Sequence, residues 1–75
     1  MVEFDLEQQV KLVETRDISA VKLRELADSR FNVVRLKVAQ HPNTDLETLE
    51  YMAGKDISVA IRGKAILSLL RKKSG

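Results

Sequence analysis

A short pattern returns along this 75-residue chain at near-constant spacing, and it limits what the chain can fold into. The fullest copy is Val33-Val34-Arg35-Leu36-Lys37-Val38-Ala39-Gln40-His41-Pro42-Asn43-Thr44. Its middle returns further along as Ala60-Ile61-Arg62-Gly63-Lys64-Ala65-Ile66, with Arg62 in the place of Arg35. A fainter version lies almost the same distance before it as Gln9-Val10-Lys11-Leu12-Val13, with Lys11 in the place of Lys37. Each copy is a long polar or cationic residue, a spacer, a lysine and two apolar residues. Between the copies, Ala20, Leu23, Leu26 and Ala27 overlay Leu46, Leu49, Met52 and Ala53 at one constant offset. Self-similarity at this period marks stacked helical units, each burying its neighbour's apolar face.

The local signals divide the chain into five expected helices, at about 3–15, 19–28, 31–41, 45–54 and 57–72. In the first, Phe4, Val10, Leu12 and Val13 form an imperfect apolar stripe, with Glu3, Asp5 and Glu7 at the end where the helix dipole favours acids. Asp17 or Ser19 is placed to cap the second helix by accepting an orphan backbone N–H. Pro42 stops the third, since it has no N–H to donate and disfavours helical backbone at His41. Thr44-Asp45-Leu46-Glu47 fits a capping box with Thr44 as the cap. Gly54 is the expected stop of the fourth helix, and Asp56 or Ser58 the cap of the fifth. Ile57, Ile61 and Ala65 make one stripe of that helix, extended by Ile66, Leu69 and Leu70.

Length allows one domain, residues 1–75, with a small core. Three glycines and one proline leave little material for turns, and the scarce aromatics (Phe4, Phe31, Tyr51) leave the core to aliphatic residues. With no cysteine there is no disulfide framework, thiolate zinc site or cysteine-held cluster. The start of the chain is acidic and has no apolar run, and no stretch reaches the length of a membrane span, so a cytoplasmic protein is expected. Net charge is +2, but its sign alternates. Residues 1–28 carry −3, residues 29–41 +3, residues 42–60 −3 and residues 61–75 +5.

Val34-Arg35, Val38-Ala39, His41-Pro42 and Thr44, followed by Leu49 and Met52-Ala53, resemble the leucine-rich repeat variant, a family allied to HEAT-like helical repeats. The likeness spans about residues 20–70, with one good copy and two worn ones. His41 stands where that family has Asn, Asp45 where it has a second Pro, and the repeat period is longer than that family's. The resemblance implies an all-α fold: a short, right-handed stack of about five helices, used as a binding surface. It implies no catalytic residue.

Candidate binding residues follow from the overlay. Lys11, Lys37 and Lys64 occupy equivalent places, as do Arg35 and Arg62, so a stack would align them in two cationic rows. Three readings stay open for the rows: a solvated face, structural pairs with acids such as Asp28 or Asp56, or an anion-binding surface. Tyr51, on the outer side of the fourth helix, is a candidate interface anchor or equally a partly buried tyrosine at a loop. The basic tail Arg71-Lys72-Lys73 either complements the end of its own helix or, as part of a basic amphipathic helix, lies on a membrane or binds a partner. His41 is the only histidine, which argues against a metal site, and no catalytic or phosphate-binding constellation is present. The expectation is a non-enzymatic module, without cofactor, that binds a protein through one face or an open end of the stack. Ile66, Leu69 and Leu70 are candidates there for docking or self-association. The alternative is nucleic-acid binding through Arg35, Lys37, Arg62 and Lys64.

Overall fold

The computed structural model describes residues 5–74. Among them run five α-helices and no strand: α1 (Leu6–Val13), α2 (Ala20–Leu26), α3 (Asn32–Gln40), α4 (Leu46–Lys55) and α5 (Val59–Ser74). The expected start at residue 3 and the part given to Phe4 lie outside the described residues. The other boundaries fall within two or three residues of those expected from periodicity and caps.

The caps explain why the helices begin where they do. The Asp5 carboxylate accepts from Gln8 N at 2.9 Å while the Gln8 side chain accepts from Asp5 N at 3.1 Å, a reciprocal capping box. Ser19 Oγ accepts from Lys22 N at 3.1 Å and Ser58 Oγ from Ile61 N at 3.3 Å.

Two expected punctuation marks are corrected. Thr44 does not cap α4; Asp45 does, accepting from Thr48 N at 2.8 Å. Thr44 instead points inward, has no exposed surface, and donates its hydroxyl to Val38 O at 2.6 Å. That carbonyl would ordinarily receive the N–H of residue 42, which proline lacks. Gly54 does not end α4 either. The helix runs through it to Lys55 with no positive φ, and the chain leaves at Asp56, whose backbone is extended.

α3 sits at the centre. It packs against α1, α2 and α5, while α5 also lies along α4 and α1 touches α2. Val34, Val38 and Ala39 of α3 are fully buried among Val13, Leu23, Leu49, Met52, Ile61 and Ala65, and Leu12, Phe31 and Leu69 pack on the edges of the same cluster. The radius of gyration of 11.4 Å matches the roughly 11.3 Å of a compact chain of this length.

Loops are tied across the helices by polar bonds. His41 Nδ1 accepts from Asn43 N at 3.0 Å, which leaves Nε2 as the donor toward Thr15 O at 3.4 Å. Asn43 Nδ2 donates to Arg16 O and Ile18 O. Ser68 Oγ and Lys72 Nζ reach from α5 to Ala39 O at 2.6 Å and Pro42 O at 2.7 Å.

Candidate functional site

The six residues singled out from the sequence do not share one surface. Arg35 is buried. Its Nε donates to Asp56 Oδ2 at 2.9 Å, Nη1 to Ser29 O at 2.8 Å and Nη2 to Asn32 Oδ1, and the Arg35 and Asp56 side chains are only 8% and 3% exposed. The structural-pair reading therefore describes Arg35, and its guanidinium is not presented to a ligand. Lys37 is half-buried and pairs with Glu14 at 2.8 Å. Lys11 is exposed and pairs with Glu7 one turn back at 3.5 Å. Lys64 is exposed and forms no ion pair among the described residues. The cationic rows are thus broken by acids and by burial, because Asp56 and Glu14 reach them from neighbouring elements.

Tyr51 is half exposed, and its hydroxyl donates to Asp28 Oδ1 at 3.3 Å. The negative charge of Asp28, then the hydrogen bond to it, holds the phenol above its ordinary pKa of 10.0. Tyr51 lines a shallow groove of about 280 Å³ between α2 and α4 with Arg24, Ala27, Asp28, Glu47 and Thr48. Arg24 spans its other end to Asp45 at 3.0 Å. The Thr48 hydroxyl and N–H hydrogen-bond to the Asp45 carboxylate and, with Arg24 adding, hold its pKa below 3.8. Every polar group lining this groove is solvent-facing or already partnered within the fold, which gives it little chemistry of its own. No group of three His, Asp or Glu side chains among the described residues is placed to hold a metal ion.

The feature that stands out is the outer face of α5. At 100° per residue, Ile66, Val59, Leu70, Gly63 and Leu67 fall within a sector of about 100°. Ile61, Ala65 and Ser68 face the opposite way, into the fold. Val59, Ile66, Leu67 and Leu70 are all exposed, Leu70 at 60%. Lys64 and Arg71 flank the sector on one side and Arg62 and Lys73 on the other. Leu69, expected on the open side, instead packs against the core, and Leu67 and Val59 take its place. The sequence signal was available: two apolar faces on one 16-residue helix. It was obscured because Leu67, Leu69 and Leu70 are adjacent and only the packed side tells them apart.

Matching positions differ in their cover. Val13, Ala39 and Ile66 are equivalent by the overlay and are 1%, 0% and 46% exposed. α3 packs on α1, which carries the first, and α5 on α3, which carries the second, while no element of the described residues covers the third. Arg35 Nη1 donates to Ser29 O, six residues back, and Arg62 Nη1 makes the same bond to Asp56 O at 2.6 Å. The fold and this face define an all-helical protein with one helix left bare and basic at its end. No protein-family model, curated protein or solved structure matches this chain. Among the described residues no helix is long and apolar enough to cross a membrane.

Proposed function

We propose that this chain is a non-enzymatic protein-interaction module: a short, right-handed stack of helix pairs of the leucine-rich-variant or HEAT-like kind, which docks a partner on its open C-terminal end. Support for the stack comes from α1, α3 and α5 packing in series and from the Arg35 bond to Ser29 O recurring, one repeat on, as that of Arg62 to Asp56 O. The observation that carries the docking role is the exposed apolar sector of α5, at a position that the two earlier copies keep covered. Apolar surface gathered on one helix face gains free energy when another surface seals it from water.

Nucleic-acid binding has less behind it. Arg35 is inside, Lys37 is neutralised by Glu14, and phosphate contact along the rows would rest on Arg62 and Lys64.

The docking role is tested with a photo-crosslinking residue placed at Leu67 in the intact chain, in its host cells. A discrete protein adduct at Leu67 is expected. It should be absent when the probe stands at Gln8 on α1 and should vanish with Leu70→Glu. Equal labelling at both places, or none at Leu67, removes the reading.

A further inference from the structure

We infer that the partner seated on α5 is an acidic amphipathic helix, and that it brings a carboxylate to Arg62. The inference rests on the docking role proposed above and adds the chemistry of the occupant.

The first argument is internal equivalence. Gln9, Arg35 and Arg62 are the matching residues of the three copies. Gln9 Oε1 accepts a hydrogen bond from Ser29 Oγ, in the turn that precedes α3, the helix against α1. Arg35 is met by the Asp56 carboxylate, in the turn that precedes α5, the helix against α3. In both cases the covering helix sends a side chain from its leading turn to the residue at this position. Arg62 is half-buried and donates one bond to a carbonyl, and no carboxylate of the described residues forms an ion pair with it. A guanidinium takes a carboxylate where an amide takes a hydroxyl, so a helix covering α5 in the same manner supplies an acid there.

Charge points the same way. α5 carries Arg62, Lys64, Arg71, Lys72 and Lys73 and no acid. Lys72 turns back to Pro42 O and Lys73 pairs with Glu50 at 3.8 Å, so a second copy docking α5 on α5 would set Arg62, Lys64 and Arg71 of each helix against the same three cations, which disfavours self-association through this face. A second copy docking its α1 would offer Glu7, Gln8 and Lys11 beside one exposed apolar side chain, Leu6, which is too little to match a stripe of four. A helix whose own apolar stripe is edged with Asp and Glu satisfies both the seam and the flanks.

Gly63 supplies the third observation. It lies mid-helix in the centre of the exposed apolar sector, and a Cβ there would meet nothing within 4 Å. The fold itself has room for alanine, which favours helix over glycine. A missing side chain at the centre of the stripe lets a second helix axis come close, since interaxial distance follows the side chains at the crossing. The stripe from Val59 to Leu70 is about 17 Å long, roughly three turns of a seated helix.

The test uses the full chain and a displayed library of 18-residue peptides with a fixed helical apolar seam and Glu, Lys or Gln at the flanking positions. Glutamate enrichment is expected on both flanks. The enriched peptide should lose at least tenfold affinity for Arg62→Glu and for Gly63→Leu and none for Lys11→Gln, with helicity checked for each by circular dichroism. One Glu→Lys change in the peptide should restore binding to Arg62→Glu, which a merely misfolded variant would not permit. Arg62→Gln serves as the milder variant should the reversal unfold the chain.

Lysine or glutamine on the flanks, or no enrichment, overturns the acidic helix; a Leu67 adduct then still upholds docking, and its absence removes both. Sedimentation with phosphatidylserine vesicles that Leu70→Glu abolishes would make the face a membrane surface and overturn the inference. A dimer dissolved by Leu70→Glu would do the same in favour of a second copy.

Discussion

Arg35 and Arg62 stand at matching places in successive copies of the repeat, and each donates to the carbonyl six residues before it. One is closed inside the protein with Asp56 as its counter-ion, and the other is half-exposed at the edge with none. The local sequence around them follows the same pattern, an apolar residue before the arginine and a lysine two places after it. The difference lies in what packs on each: α5 lies against α3 and its leading turn brings Asp56 to Arg35, whereas no carboxylate of the described residues reaches Arg62. Burial here belongs to a residue's neighbours in space, so arginine at matching places is a buried ion-pair partner on α3 and a half-buried side chain bonded to one carbonyl on α5.

The largest expected effect separates these two arginines. Arg35→Ala leaves the Asp56 carboxylate buried and unpaired, which should destabilise the fold by about 3–5 kcal/mol. Arg62→Ala should cost no more than about 1 kcal/mol. Urea denaturation of both variants checks this, and equal losses would break the comparison. Arg35→Met with Asp56→Leu should recover most of the loss, because the pair leaves together and no charge is stranded.

The equivalent pair Ala39 and Ile66 gives the next effect. Ala39 has no exposed surface and lies under α5. Ala39→Leu forces extra methylenes into a filled space and should cost about 1–3 kcal/mol. Ile66→Leu, at the equivalent open position, should leave the unfolding midpoint within experimental scatter. A large loss at Ile66 would mean that α5 is covered in solution, and sedimentation at several concentrations would then reveal the cover.

Much of this contrast was out of reach of the sequence. The five helices were legible, because apolar spacing and caps are local and repeat. The core of α3 was legible for the same reason, through Val34 and Val38. Thr44 and Asp45 were misassigned because Thr-x-x-Glu and Asp-x-x-Thr both satisfy capping rules. What decides between them is the Val38 carbonyl, which takes the His41 N–H at 3.1 Å and, where Pro42 has none to give, the Thr44 hydroxyl as its second donor. The side of the chain to which Arg35 belongs was also undecidable locally. Its partner Asp56 lies 21 residues on, and a long side chain can turn either way from one Cα. The open face of α5 is only partly legible: periodicity places Ile66 and Leu70 there, but Leu67 and Leu69 exchange roles according to which side meets α3 and α4.

Contact between α2 and α4 offers a smaller, pH-dependent measurement, since its polar links are exposed where those of α3 are buried. Asp45 caps α4 and pairs with Arg24. Asp45→Ala should cost about 1 kcal/mol at neutral pH, as for a lost helix cap. The Asp45 pKa is lowered in the folded protein from 3.8, so its contribution is complete above that value and lost as the pH falls through the lowered one. The stability gap between Asp45→Ala and the parent should therefore be constant from pH 5 to 8 and should close only in strong acid. A gap that closes near neutrality would point to another titrating group.

The smallest change bears on the bare helix itself. Gly63 is exposed, mid-helix, and open enough for a Cβ. Gly63→Ala should stabilise the isolated protein by about 0.8–1 kcal/mol, read as a rise of roughly 4–8 °C in melting temperature. Gly54 also has open space around it, but it lies in the last turn of α4, where helix propensity counts for less, so Gly54→Ala should give a smaller gain. If Gly63→Ala raises stability as expected, nothing within the fold requires glycine there. If it lowers stability, the backbone at Gly63 is held for a reason internal to α5. The distinction between a covered layer and an open one would then have to be carried by Ile66 and Arg62 alone.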